Sequence, residues 1–299
     1  MRWAPGLTLV LFLGPIATGL LGTLLPAFGW LPALGGRAFS LAPWRDLLAA
    51  PGLATALRVT LVTGIVTTAL SLSVVVFTLA TLGGAAWFRR CQAMLAPLLA
   101  VPHAALAIGF AFLASPSGWV ARLLSPGLTG WQRPPDLATI QDPDGIALIL
   151  GLMLKEVPFL FLMSFAALGQ IRAGGVLAAA YALGYGPIQA WLKLVLPMIY
   201  PQIRLPIYAV LAFSLSTVDV AFILGPSTPP PLAPLVVRWF TDRDILMYFP
   251  AAAGAVLQLL LVGGAIGLWR CAELVIAGLG RRWIARGRRG REVHENVAI

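Results

Sequence analysis

Residues 177–203, LAAAYALGYGPIQAWLKLVLPMIYPQI, are apolar enough for a membrane, yet glycine and proline interrupt them. The interrupting residues are Gly184, Gly186, Pro187, Pro197 and Pro201. These residue types end or kink helices, because proline lacks a backbone donor and glycine is conformationally free. The stretch therefore predicts something other than a continuous membrane-spanning helix.

The composition of the whole chain indicates an integral membrane protein. Of the 299 residues 59% are hydrophobic and only 11% are charged, whereas soluble domains are about a quarter charged. The net charge of +10 does not indicate nucleic-acid binding, because a cluster of arginines follows the last apolar run. A cluster in that position favours a topology signal or a contact with anionic lipid. These arginines are Arg281, Arg282, Arg286, Arg288, Arg289 and Arg291.

Six apolar runs are each long enough to cross a bilayer as a helix, which takes about 20 residues. The predicted fold is therefore an all-α polytopic membrane protein with about six spans. We place the spans near residues 7–28, between residues 58 and 89, between 90 and 122, and at 145–168, 205–225 and 249–270. The first run has an alternative interpretation as a signal peptide, although no convincing small-x-small cleavage site follows it.

The distribution of Lys and Arg predicts the orientation. With the N-terminus inside, thirteen of these residues fall on the inner side and seven on the outer side. The positive-inside rule then places both termini in the cytoplasm. We expect a membrane domain over residues 1–280 and a basic cytoplasmic tail over 281–299. The interrupted stretch falls in a cytoplasmic loop at about residues 170–203, between spans four and five.

Within this loop the sequence predicts two short helices. The first ends at Gly184–Gly186, and Pro187 suits the first turn of the second. Pro197 is expected to stop the second helix. An apolar stripe at helical spacing predicts its buried face, formed by Ile188, Trp191, Leu192 and Val195. Such a pair of short helices on the cytoplasmic surface is typical of a docking element for another protein.

This segment resembles the EAA motif of permease subunits of ABC importers. The motif runs Glu-Ala-Ala, three residues, Gly, nine residues, Ile, one residue, Leu-Pro. The residues in register are Ala179, Ala180, Gly184, Leu194, Leu196 and Pro197, with Leu194 in the Ile position and Ala178 in place of the Glu. Over residues 55–280 the chain is most similar to the binding-protein-dependent permeases of the sulfate, molybdate, thiamine, iron and polyamine type.

The resemblance implies that these six residues couple the chain to cytoplasmic ATP-binding subunits. It also implies a periplasmic or extracellular solute-binding protein and a second permease half, identical or different. The chain has no G-x-x-x-x-G-K-[ST] motif of its own, so the ATPase is expected on a partner chain and this chain is not expected to be an enzyme. No cofactor, metal or nucleic acid is predicted.

Three ionisable residues lie inside predicted spans, where charge is costly and usually functional. They are Lys155, Glu156 and Asp219. Lys155 and Glu156 point about 100° apart on a helix, so we expect them not to face one spot. Lys155 and Asp219 lie at depths that allow pairing. Two interpretations stay open for the three residues, a buried ion pair and a lining of the translocation path.

A second hypothesis for the whole chain is a secondary transporter driven by an ion gradient, with the three charged residues as coupling groups. Such folds usually contain internal repeats, and none is clear between residues 1–140 and 141–299. The solute is not predicted. An uncompensated Lys155 would favour anions, and an uncompensated Asp219 would favour cations.

Overall fold

The computed structural model describes residues 3–82, 94–95 and 97–285. Arg89, Arg90 and all predicted tail residues after Ala285 lie outside this part of the chain. The helices are α1 Ala4–Ala27, α2 Ala42–Ala49, α3 Leu53–Leu82, α4 His103–Ala114, α5 Trp119–Leu124, α6 Ile146–Gly169, α7 Ala173–Ala182, α8 Pro187–Ala190, α9 Leu196–Ser216, α10 Asp219–Leu224, α11 Leu232–Phe240 and α12 Tyr248–Ala285. One small antiparallel pair joins β1 (Trp30–Leu31) to β2 (Gly36–Arg37).

The prediction of an all-α fold with six spans is confirmed. Six helical stretches of the described chain are long and apolar enough to cross a membrane. They are Gly6–Ala27, Leu53–Thr81, His103–Leu124, Ile146–Gly169, Pro187–Ser216 and Ile245–Ala285.

The prediction that Pro197 stops a short helix is wrong. A π-helical turn, Trp191–Val195, joins α8 to α9 without a break, and Pro197 lies in the first turn of α9. Local π turns accommodate the backbone groups that a proline leaves unpaired in membrane helices. The predicted loop at 170–203 is therefore loop and short helix only up to Gly186, and the remainder belongs to the fifth span.

The predicted bounds of the fifth and sixth spans are also wrong. The fifth helix ends at Ser216 rather than near residue 225, because Thr217 is extended (φ −63°, ψ 134°) and Asp219 begins the separate helix α10. The sixth helix does not end at Arg270 but continues to Ala285, past the predicted domain boundary at residue 280. Arg270 does not end the sixth helix, and its guanidinium pairs with Glu273 inside the bundle.

Two apolar clusters of the core show which helix ends lie at the same end of the bundle. A stripe along α8, the π turn and α9 recurs every four residues and packs on α3 and α6. Its members are Trp191, Val195, Ile199, Ile203 and Ile207. The carboxyl ends of α3 and α6 thus meet the start of the fifth helix, near the turn at Gly184. We call this the Gly184 end of the bundle. At the opposite end, Ala27, Leu47, Leu53, Leu232 and Ala252 form a second cluster.

Candidate functional site

Two adjoining cavities lie among α4, α6, α9 and the break before α10. The first has a volume of about 300 Å³, and its lining includes Lys155 and Glu156 of α6. The second, of about 520 Å³, has Asp219 in its wall. His103 and Phe213 line both cavities, and their rings lie 4.3 Å apart between centroids. The structure therefore brings all three predicted membrane charges to the walls of two adjoining cavities.

The expectation that Lys155 and Glu156 cannot face one spot is wrong, since both line the first cavity. Consecutive residues of a helix are rotated by about 100°. The two side chains therefore lie on the two flanks of one helix face, and the cavity extends over both flanks. The Lys155 ammonium donates a hydrogen bond to the backbone carbonyl of Val101. The hydrogen-bond acceptor of this buried ammonium is therefore a backbone carbonyl rather than a carboxylate.

Glu156 lies near a side chain rather than a backbone carbonyl. Its side chain is only 6% exposed, and its Oε1 lies 3.7 Å from Nε2 of His103. That separation is too long for a hydrogen bond. His103 is the first residue of α4, so the start of α4 sets this contact. This contact joins α4 to α6.

Asp219 does not pair with Lys155 in the described part of the chain. Asp219 is exposed in the wall of the second cavity, two residues after the extended residue Thr217. No hydrogen bond or ion pair involves its carboxylate among the residues that the structure describes. Within the described residues of this chain, the structure therefore shows no ion pair between Lys155 and Asp219.

A buried ionic cluster around Glu273 was not predicted. The Glu273 carboxylate accepts hydrogen bonds from the hydroxyls of Tyr200 (2.8 Å) and Tyr208 (3.0 Å) and from Nη1 of Arg270 (2.8 Å). Nε of Arg204 lies 3.1 Å from the same carboxylate. Tyr200, Arg204 and Tyr208 recur every four residues, so they share one face of α9. That spacing and the Arg270–Glu273 pair at i, i+3 were the signals that could have found the cluster.

The turn after α7 forms a capping motif on the surface. Gly184 has φ +80°. Its N–H donates to the Tyr181 carbonyl (2.9 Å), and the Tyr185 N–H donates to the Ala180 carbonyl (3.0 Å). These two bonds define a Schellman motif with glycine at the left-handed position. The first short helix ends before Gly184 as predicted, and Pro187 lies in the first turn of α8 as expected.

The six predicted coupling residues do not form one compact patch. Ala179 and Gly184 are exposed at the turn, whereas Ala180 is buried and is not available to a partner. Leu194, Leu196 and Pro197 follow along the fifth helix, the first two half-buried and Pro197 exposed. Ala178 is also exposed, so a Glu there would meet solvent.

Large apolar side chains surround the exposed turn. Tyr181, Leu183 and Ile188 are 47%, 60% and 50% exposed. Of the predicted apolar stripe, Trp191 and Val195 are buried in the core of the chain itself, Leu192 is half-buried, and Ile188 remains outside. Turn and apolar side chains together make a protruding surface, which we call the turn surface (Ala178, Ala179, Tyr181, Leu183, Gly184 and Ile188).

Lys193 ties the turn surface to the last helix. Its Nζ lies 4.5 Å from the centre of the Trp283 ring and 5.3 Å from that of Tyr185. Cations placed over aromatic faces in this way are stabilised by the ring quadrupole. The carboxyl end of α12 therefore lies at the Gly184 end of the bundle.

Six apolar helices long enough to cross a bilayer define a multi-pass helical membrane protein of the inner membrane. No family model matches the chain. The chain is 33% identical over 238 residues to the inner membrane ABC transporter permease protein YnjC of Escherichia coli (strain K12). The match covers 78% of this chain and 44% of YnjC, so it spans less than half of that relative. The chain belongs to the ABC transporter permeases.

Proposed function

We propose that this chain is the permease subunit of an ABC importer and forms one half of the translocation pathway. The observation that carries the proposal is a continuous helix, Pro187–Ser216, between the turn surface and the cavities. From Pro187 to Phe213 it extends about 40 Å at 1.5 Å per residue. Because an uninterrupted helix moves as a rigid element, a displacement at the turn surface reaches the residues that line the cavities.

The turn surface has the properties of a docking site for an ATP-binding subunit. It carries two exposed residues that are in register with the EAA motif, Ala179 and Gly184, and its large apolar side chains are exposed. Nucleotide binding would close the ATPase dimer and pull on this surface, so the two states of the ATPase bias two states of the bundle. In this proposal the Gly184 end faces the cytoplasm.

A second permease half completes the pathway in this proposal. The cavities open to the outside of this chain rather than lying enclosed within it, and Asp219 in their wall is exposed. The relative YnjC is more than twice as long as the matched region, which supports this chain as one of two halves. A solute-binding protein would deliver the solute to the face opposite the Gly184 end.

The test is purification of the tagged chain from cells that also express the genes flanking its own, followed by ATP hydrolysis measurements in proteoliposomes. We expect an ATP-binding subunit to co-purify, and its hydrolysis rate to rise when the solute-binding protein and solute are added. Transport that needs an ion gradient and no ATP would contradict the proposal and favour a secondary transporter.

A further inference from the structure

We propose that the two cavities select a solute with net positive charge, such as a small organic ammonium ion. This inference rests on the proposed function and adds the class of solute. The charges in the cavity walls point to it, since one cation, Lys155, stands against two carboxylates, Glu156 and Asp219.

The cation in the wall already has a hydrogen-bond acceptor. The Lys155 ammonium donates to the Val101 carbonyl, and Lys155 is buried. An anionic solute would have to compete with this carbonyl for one of the three ammonium protons. The carbonyl is neutral, so the charge of Lys155 remains in the first cavity, and the two carboxylates of the cavity walls outnumber it.

The carboxylates, by contrast, lack donors. The Glu156 side chain is 6% exposed, and the His103 imidazole lies 3.7 Å from its Oε1. Buried carboxylates in proteins are nearly always hydrogen-bonded or paired with a cation. Asp219, in the second cavity, has no recorded partner within the described residues and is exposed. A positively charged solute would supply the hydrogen-bond donor and the positive charge that both carboxylates lack.

The rings between the two carboxylates suit the same ligand. Phe213 and His103 line both cavities. An aromatic face attracts an alkylated ammonium group by its quadrupole, most strongly where water is excluded. A cation that moves from Asp219 to Glu156 would therefore pass over an aromatic surface and meet a carboxylate on either side.

The experiment uses proteoliposomes that hold the purified complex of this chain with its ATP-binding subunit, with ATP inside and the solute-binding protein outside. They are incubated with a mixture of small metabolites that contains cations, uncharged compounds and anions. The solutes trapped inside are identified by mass spectrometry, and their charge at pH 7 is read from their structure.

Three variants with one chemical change are compared with the wild type. Glu156→Gln and Asp219→Asn remove a carboxylate from the cavities, and Asp136→Asn removes an exposed one outside them. We expect the wild type to trap positively charged solutes. We expect Glu156→Gln and Asp219→Asn each to lower the trapped amount about tenfold, the effect of losing one charge-assisted contact, and Asp136→Asn to leave it unchanged. Asp219 is exposed, so its variant is informative even where Glu156→Gln does not fold.

Trapping of anions or uncharged solutes would overturn the inference and leave the proposed function intact. A complex that hydrolyses ATP but traps nothing, or variants that trap as much cation as the wild type, would also overturn it. Loss of the proposed function has a different signature, because the ATP-binding subunit would then be absent from the purified wild-type chain.

Discussion

Arg204 Nε lies 3.1 Å from Oε2 of Glu273, an ion pair between the fifth and sixth spans inside the bundle. Two tyrosine hydroxyls and Arg270 complete the surroundings of the same carboxylate. One buried anion thus holds α9, which leads from the turn surface to the cavities, against α12. The cluster explains how two arginines are tolerated within helices that cross the membrane.

Removing the carboxylate should destabilise the protein. Glu273→Gln leaves the two arginines without their anion, and we expect a loss of about 2–3 kcal/mol, at the low end for a broken buried pair because both arginines are partly exposed. Tyr200→Phe removes one hydrogen bond and should cost about 1 kcal/mol. Thermal melting in detergent measures both. Tyr181→Phe, at an exposed tyrosine, is the matched control and should melt like the wild type. Equal melting temperatures for all three variants would show that the cluster contributes nothing to stability.

Close contact between α3 and α9 should be sensitive to a single added methyl group. A Cβ at Gly64 would lie 2.5 Å from Cδ2 and 3.2 Å from the backbone N of Leu215. We expect Gly64→Ala to cost about 1–3 kcal/mol, as overpacking of a well-packed core does. Gly263→Ala on α12 is the control, because nothing lies within 4 Å of its Cβ. The unfolding of both variants is followed in detergent, and a Gly64→Ala protein as stable as Gly263→Ala would contradict this packing.

The six spans were predictable from the sequence, whereas the ends of the fifth and sixth were not. A run of about 20 apolar residues predicts a span because the bilayer leaves few other structures for it. The ends were placed at Arg204 and Arg270 on the same reasoning about charge. Both arginines instead pair with Glu273, and that pairing depends on how α9 and α12 pack.

The turn at Gly184 was predictable from the sequence, whereas the features that form the cavities were not. Gly184 was predictable because few residues other than glycine adopt positive φ at the end of a helix. The π turn before Pro197 and the break at Thr217 were not predicted, since neither has a distinctive local pattern. Asp219 was placed inside a helix for that reason, and its position in a cavity wall follows only from the break.

The orientation of the bundle can be measured by cysteine labelling. In a background without the native cysteines, Leu41→Cys and Leu128→Cys at one end and Leu183→Cys at the Gly184 end all place an exposed thiol. We expect an impermeant maleimide added to intact cells to label the first two and to reach Leu183→Cys only after permeabilisation. The positive-inside count of thirteen against seven gives this direction. Labelling of Leu183→Cys in intact cells would reverse the orientation.

The central claim is that the turn surface binds an ATP-binding subunit, and the recovery of that subunit with two glycine variants tests it most directly. Gly184 and Gly130 are both exposed with positive φ, +80° and +70°. Asp at either position adds the same charge and the same backbone strain, but only Gly184 lies on the turn surface. The measurement is the amount of ATP-binding subunit that co-purifies with each tagged variant, relative to the wild type. We predict normal recovery with Gly130→Asp and loss of the subunit with Gly184→Asp, while both variants insert in the membrane. Equal recovery with the two variants would contradict the assignment of this surface as the coupling element.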